Sequence, residues 1–96
     1  MARVQRSERA QQDLEEILDY LDRQGLQTAD RFAARFEETC DLHASRPQLG
    51  ETATEYAPNL RHFTVWNYAV FYRPLDDGIE LIRIIHGSRD IPKLFE

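Results

Sequence analysis

The first half of the chain repeats apolar residues with the period of an α-helix. Residues 2–6 form a short segment with Val4 at its centre that predicts a strand, and Ser7 is placed to cap the helix that follows. One stripe then holds Ala10, Leu14, Ile17, Leu18 and Leu21, and a second, after Thr28 as the expected N-cap, holds Ala29, Phe32, Ala33, Phe36, Cys40 and His43. Gly25 and Pro47 end the stripes, so the pattern predicts two antiparallel helices joined by a short loop.

The second half changes to the period of a strand. Residues 47–59 show no period and predict a crossing loop, whereas residues 60–65, 68–73 and 79–86 are rich in strand formers. Trp66 and Asn67 fall at a two-residue turn, and residues 74–78 form a second one. The sequence therefore predicts one α+β domain over residues 1–96: a short N-terminal strand, a two-helix hairpin and a three-stranded antiparallel meander. We expect the helices on one face of this sheet and the other face open.

Composition restricts the class of protein. With 96 residues, 42% hydrophobic and 30% charged, the chain has room for one small core, which excludes a large multidomain enzyme. Its uncharged runs are too short to span a membrane and its N-terminus lacks an apolar leader, so we expect a soluble cytoplasmic protein. Cys40 is the single cysteine, so an internal disulfide is excluded; we expect no metal and no cofactor.

Charge argues against direct binding of nucleic acid. The formal net charge is −5 and the isoelectric point is near 5.1, whereas proteins that grip nucleic acid unaided usually carry a basic patch. Eleven of the twelve cations are Arg and the other is Lys93. A guanidinium favours planar, bidentate contacts with a carboxylate or a phosphate. These cations therefore suit specific pairing with such groups better than they suit a diffuse polycationic surface.

Several short motifs occur in an order that identifies a family. They are Ala10-x-x-Asp13-Leu14-x-x-Ile17-x-x-Tyr20, Arg46-Pro47-x-x-Gly50, Leu60-Arg61-x-Phe63, Tyr68-x-Val70-x-Tyr72-Arg73 and Ile85-His86-Gly87-x-Arg89-Asp90. Together the motifs resemble the ParE branch of the RelE/ParE superfamily, the toxins of bacterial type II toxin-antitoxin pairs. The resemblance spans nearly the whole chain and implies a small sheet packed by a helical hairpin.

The resemblance also implies partners. It implies a ParD-like antitoxin whose C-terminal segment wraps the toxin in a hetero-oligomer, contact with operator DNA only through that antitoxin, and a non-catalytic toxin that acts by binding DNA gyrase. The expected antitoxin contacts are Arg61, Arg73, Arg83, Leu14, Leu18 and Phe36. The apolar C-terminal tail supplies the candidates for target binding, which are Arg89, Ile91, Leu94 and Phe95.

Two alternative functions remain open at this stage. The RelE branch cuts messenger RNA on the ribosome, and the residues for such a reaction here are Arg61, Arg73, Arg83 and His86. That branch tends to have an Arg where this chain has Ala69 and a C-terminal Tyr where it has Leu94 and Phe95, so RNA cleavage is the second choice. The third is a protein that has lost toxicity and serves only as a corepressor with a DNA-binding antitoxin.

Most of the polar residues singled out also have a structural interpretation. The three histidines, His43, His62 and His86, are expected to be structural, and Cys40 is expected in the core. Arg61 has two equally weighted partners, an internal carboxylate or an acidic antitoxin. Asp13 is a candidate internal partner for an Arg, although the acids of the first helix as a group, Asp13, Glu15, Glu16, Asp19 and Asp22, are expected on an exposed face.

Overall fold

Two helices and five strands follow one another in the computed structural model, which describes residues 2–87. Strand β1 (Arg3–Arg6) leads into helices α1 (Glu8–Asp22) and α2 (Thr28–Ser45). The remaining strands are β2 (Glu51–Thr52), β3 (Arg61–Val65), β4 (Tyr68–Leu75) and β5 (Gly78–His86). The predicted α+β order is confirmed. Among residues 2–87, neither helix combines the length and the apolar character needed to cross a membrane.

The ends of the helices follow the capping residues only in part. Ser7 caps α1 as predicted, because its Oγ accepts a hydrogen bond from the backbone N–H of Ala10 at 3.0 Å. Helix α2 instead begins after Gln27, whose φ is +67°, and no side chain caps it. Thr28 was expected to be the cap, but its N–H donates to the carbonyl of Gly25 in the tight connection, and Thr28 is already the first helical residue.

The sheet has one strand more than the sequence predicted. Its strand order is β1-β5-β4-β3-β2, with β1 parallel to β5 and every other pair antiparallel. The meander of β3, β4 and β5 is confirmed, but the two-residue strand β2 extends the sheet beyond β3. The crossing loop thus contributes to the sheet, and β4 continues through Pro74, which pairs with Ile79.

Both faces of the sheet are covered, so the predicted open face is wrong. One face packs against the helices and holds most of the core, including Phe32, Phe36, Val70 and Tyr72. Residues 53–60 cross the opposite face and bury a second cluster, which comprises Ala53, Leu60, Ala69, Phe71 and Ile85. Tyr72 and Phe71 belong to different clusters because neighbouring residues of a strand point to opposite faces.

Gly78 permits the close approach of β1 to the start of β5. It pairs with Arg3, and a Cβ on Gly78 would lie only 2.6 Å from the backbone nitrogen of Arg3 and closer still to its carbonyl oxygen. The φ of Gly78 is +158°, and that of Gly25 is +154°. At Gly25, however, a Cβ would meet only the Thr28 hydroxyl at an ordinary 3.7 Å.

These two glycines form a matched pair for a stability test. We expect Gly78→Ala to lower the free energy of unfolding by about 2–4 kcal/mol, because the methyl group forces β1 away from β5. Gly25→Ala shares the backbone conformation without the clash and should cost about 1 kcal/mol or less. Urea unfolding followed by circular dichroism measures both values. Equal losses in the two variants would mean that backbone conformation alone, not the approach of β1, requires Gly78.

Candidate functional site

A buried carboxylate joins helix α1 to the free side of β5. β1 pairs with β5 only as far as Leu81, and beyond it Ser7 Oγ donates to the carbonyl of Ile82 at 3.0 Å. Asp13 Oδ2 then accepts the backbone N–H of Ile84 at 2.9 Å and Nε of Arg83 at 2.8 Å, while Oδ1 accepts Nη2 of Arg83 at 3.2 Å. Side chains of the helix thus replace the missing strand along this edge.

Asp13 is therefore not on the exposed acidic face, where the sequence grouped it with its neighbours. Its exposure is 5%, and the guanidinium of Arg83 is mostly buried against it. The alternative expectation, that Asp13 is an internal partner for an Arg, is confirmed. Because Arg83 makes two charge-assisted bonds to Asp13, a partner's carboxylate or a phosphate would compete with Asp13 for its charge.

A second polar cluster holds the loop after α2 against β3 and β4. Nη1 of Arg61 donates to the carbonyls of Gln48 at 3.1 Å and Gly50 at 2.6 Å. The Tyr72 hydroxyl donates to the carbonyl of Pro47 at 2.7 Å and accepts the N–H of Gly50 at 3.0 Å. The partners of Arg61 are thus loop carbonyls, where a carboxylate was expected. This cluster brings together three of the sequence motifs, although the sequence did not single out Tyr72 or Gly50 as a pair.

Close packing around Tyr72 explains the glycine in this cluster. A Cβ at position 50 would lie 2.8 Å from the carbonyl oxygen of His62 and would collide with the Tyr72 hydroxyl. Burial raises the pKa of Tyr72, although the Gly50 hydrogen bond and the charge of Arg61 oppose that rise. The phenol consequently stays protonated at neutral pH and can donate to Pro47.

The four residues considered for RNA cleavage divide between two cavities. Arg83 and His86 line a cleft of about 320 Å³ beside α1, together with Tyr20 and Tyr68. Arg61 and Arg73 line a separate cavity of about 330 Å³ beside the crossing loop. Arg73 pairs with Glu80 at 2.6 Å, and the His86 ring packs edge-on against Tyr68. The sheet register thus separates these residues instead of bringing them to one point.

The other predicted contact residues have different surroundings. Leu14 and Phe36 belong to the helix-side core with exposures of 5% and 1%, and Leu18 is half-buried against the same core. Their role in antitoxin binding stays a prediction, although the side chains of Leu14 and Phe36 are already packed inside the chain. The target-binding candidates Arg89, Ile91, Leu94 and Phe95 lie outside the described residues.

Cys40 and His43, which could in principle act as a nucleophile or a metal ligand, are packed in the core. Cys40 is buried, and burial raises the pKa of its thiol to about 12. His43 is buried, stacks on Phe63 with ring centroids 4.0 Å apart, and donates from Nδ1 to the carbonyl of Thr39 at 2.8 Å. Within residues 2–87 no three metal-ligating side chains come together. The structural interpretation of Cys40 and His43 is thus confirmed.

Removing the Asp13 carboxylate tests its role in holding α1 to β5. We expect Asp13→Ala to lower the free energy of unfolding by about 3–5 kcal/mol, because it removes the carboxylate that pairs with the buried Arg83 charge and accepts the Ile84 N–H. Asp19→Ala on the same helix removes an exposed ion pair with Arg23 and should cost about 0.5 kcal/mol or less. Chemical denaturation of both variants measures the difference, and a small loss in Asp13→Ala would contradict this assignment.

Reactivity toward a thiol reagent tests the burial of Cys40. Because its pKa rises from 9.0 to about 12, the thiolate fraction at pH 8 should fall about 1000-fold, and labelling by a disulfide reagent should slow at least as much relative to the chain in guanidinium.

The same shift makes stability depend on pH. The unfolded chain loses this proton near pH 9 and the folded chain only near pH 12, so the contribution of the thiol to stability is complete below pH 9 and is lost as the pH rises toward 12. In the labelling experiment, rapid reaction of the folded chain at pH 8 would contradict the burial of the Cys40 thiol.

Comparison with known proteins places this geometry in a family. A model described as the ParE toxin of the type II toxin-antitoxin system, parDE, matches residues 4–91. Toxin ParE1 of Mycobacterium tuberculosis is 30% identical over 86 residues, which are 88% of each chain. Toxin ParE3 of Caulobacter vibrioides is 27% identical over 92 residues, which are 95% of this chain and 92% of that one.

The fold is also shared with a solved structure. A structure titled "Chromosomal ParDE TA system from P. aeruginosa" superposes with a TM-score of 0.71 at 21% identity, covering 90% of this chain and 96% of that one. The motif residues therefore occur in the fold that the resemblance implied. The chain belongs to the ParE toxin family of type II toxin-antitoxin systems.

Proposed function

We propose that this chain is a toxin that inhibits DNA gyrase by binding to it, without catalysis, and that a ParD-like antitoxin neutralises it. Membership of the ParE family supports the toxin role, and the P. aeruginosa structure, titled as a ParDE system, supports an antitoxin partner. The observation that carries the proposal is the division of Arg61, Arg73, Arg83 and His86 between two cavities.

Geometry argues against the RNA-cleavage alternative. General acid-base catalysis needs its groups within hydrogen-bond reach of one reacting phosphate, about 3 Å from each atom. Along β4, the partner of His86 is Tyr68 and the partner of Glu80 is Arg73, five residues further on. At about 3.4 Å per residue, His86 and Arg73 are about 17 Å apart along the sheet. One phosphate cannot contact both.

The internal hydrogen bonds of Arg61 and Arg83 also argue against RNA cleavage. Arg61 binds two backbone carbonyls and Arg83 binds Asp13. Diverting either guanidinium to a substrate would leave those acceptors without their donor, at a cost of about 1–3 kcal/mol for each buried group. Inhibition by binding to the surface of a target does not require these guanidinium groups to leave their internal partners. It therefore suits a chain whose polar clusters stabilise its own fold.

Gyrase assays on the purified chain test the proposal. We expect inhibition of DNA supercoiling and accumulation of cleaved DNA–gyrase complexes, with no codon-specific cuts in messenger RNA on translating ribosomes. An equimolar amount of the cognate antitoxin should restore supercoiling. Arg73→Gln removes one member of the RNA-cleavage set at an exposed position, and it should leave gyrase inhibition unchanged.

The other outcomes identify the alternatives. Cuts in messenger RNA that disappear in Arg73→Gln, with gyrase unaffected, would replace the proposal with the endonuclease function. Inactivity in both assays and harmless expression without the antitoxin would indicate the corepressor.

A further inference from the structure

Arg61 carries a charge that no carboxylate of the described chain neutralises. Its Nη1 donates to the carbonyls of Gln48 and Gly50, and both acceptors are uncharged. A guanidinium has five N–H donors in a planar fork, and Nη1 holds two of them. Within residues 2–87, Nε and Nη2 of Arg61 have no acceptor, although the side chain is only partly exposed. A half-buried cation with free donors favours an anion beside it.

These donors are accessible to a ligand. Among the described residues, the single buried side-chain N or O atom without a hydrogen bond is Nδ1 of His62, so Nε and Nη2 of Arg61 are not sealed inside the fold. Arg61 lines the cavity of about 330 Å³ beside the crossing loop, which we name the Arg61 pocket. This volume lies at the lower end of the range of about 300–1,000 Å³ for small-molecule sites.

The lining of the Arg61 pocket favours negative charge. In a chain of net charge −5, the described residues that line it include no Asp or Glu. Arg73 lines it too, but Glu80 pairs with Arg73 at 2.6 Å and neutralises that charge. The uncompensated charge therefore belongs to Arg61. Uncharged hydrogen-bonding side chains surround it, and these are Gln48, Thr52, Thr54 and Asn59.

The pocket is held in shape by the backbone around it. Thr52 is opposite Arg61 in the β2–β3 ladder, and Asn59 has a φ of +61° where the crossing loop returns to β3. Leu60 is 1% exposed and closes one side of the pocket together with Pro74. Because Nη1 anchors the guanidinium of Arg61 to two carbonyls, the orientation of its free edge is fixed before a ligand arrives, which lowers the entropic cost of binding.

The number of donors suits a tetrahedral oxyanion better than a carboxylate. Nε and Nη2 present parallel N–H groups that match two oxygens of either anion. A carboxylate has no further oxygen, whereas a phosphate monoester has a third one that can accept from the hydroxyls of Thr52 or Thr54 or the amide of Asn59. The pocket is also larger than one phosphate group, so an attached organic group can lie against Leu60 and Pro74.

We propose that the Arg61 pocket binds the phosphate group of a small molecule, of the class of a nucleoside monophosphate. Nε and Nη2 of Arg61 donate to two phosphate oxygens, while Nη1 keeps its bonds to the loop. No covalent bond is made or broken, so the site needs neither a general acid nor a general base. The inference does not depend on gyrase inhibition or on an antitoxin.

Side-chain NMR of the full chain tests this assignment directly. The ¹⁵N-labelled chain is titrated at neutral pH with inorganic phosphate, with adenosine monophosphate and with acetate, and the Nε–H resonance of Arg61 is followed. We expect a saturable shift with both phosphates, with the nucleotide binding about threefold to tenfold more tightly because it also contacts apolar surface. Acetate should bind at least about tenfold more weakly than phosphate. The resonance of Arg23, an exposed arginine paired with Asp19, should not move.

Substitutions in the pocket test the other donors. Thr52→Val/Thr54→Val exchanges two exposed hydroxyls for methyl groups and leaves the bonds of Arg61 intact. We expect it to weaken phosphate binding about fivefold to tenfold. Thr64→Val makes the same change at an exposed position of β3 outside the pocket and should bind like wild type. Circular dichroism and thermal melting of each variant check that the fold is retained.

Arg61→Lys separates charge from geometry. It keeps the positive charge and loses the planar fork, so phosphate binding should weaken at least about tenfold. The threonine variants decide the matter if Arg61→Lys does not fold, because Arg61 also holds the loop.

Three results would overturn the proposal, whether or not the chain inhibits gyrase. They are no saturable shift at Arg61 with either phosphate, unchanged binding in Thr52→Val/Thr54→Val, and binding of acetate as tight as that of phosphate. A single-stranded oligonucleotide that binds more tightly than the nucleotide would also overturn it, because the ligand would then be a nucleic-acid backbone. Equal affinity for inorganic phosphate and the nucleotide would support the site and identify the free ion as sufficient.

Discussion

The carboxylate of Asp13 holds the first helix to the sheet at the point where β5 loses its neighbour. β1 is only four residues long, so the second half of β5 would otherwise present unpaired backbone groups under a helix. Asp13 accepts one of these N–H groups and neutralises Arg83 with the same side chain. Because Asp13 and Arg83 are both buried, removing either one takes the principal charge partner from the other, and the pair thereby couples α1 to β5.

The family motifs contain polar residues within the fold because, like Asp13, these residues satisfy backbone groups that would otherwise lack hydrogen bonds. Arg61 and Tyr72 satisfy the carbonyls and the N–H of the loop that returns from α2 to the sheet. A loop close to the core needs such partners, because buried backbone groups without hydrogen bonds are costly. These residues resemble a catalytic set in sequence, yet in the structure they hold a connection in place.

Because the motif arginines make internal contacts, side chains outside the motifs are the ones that can contact a protein partner. Arg61, Arg73 and Arg83 are engaged internally, whereas Arg31 of α2 is exposed and forms no ion pair within residues 2–87. Phe32, the next residue of that helix, packs edge-on against Trp66, whose φ is +54° in the β3–β4 turn. Binding proteins recognise partners through such combinations of rigid aromatic side chains and guanidinium groups more than through any single residue.

The sequence by itself determined both helices and every strand except β2, together with their order. The two helical stripes, the Ser7 cap, the turn at Trp66 and Asn67 and the three later strands were all predicted, because periodicity and turn chemistry are local properties. Tertiary structure decided the rest. The β-bulge opposite Phe71 and Tyr72 places Leu81 and Ile84 on the same face, which strict alternation does not predict. Pairings across many residues, such as Asp13 with Arg83 and Tyr72 with Gly50, depend on register and distance in three dimensions, so no local pattern encodes them.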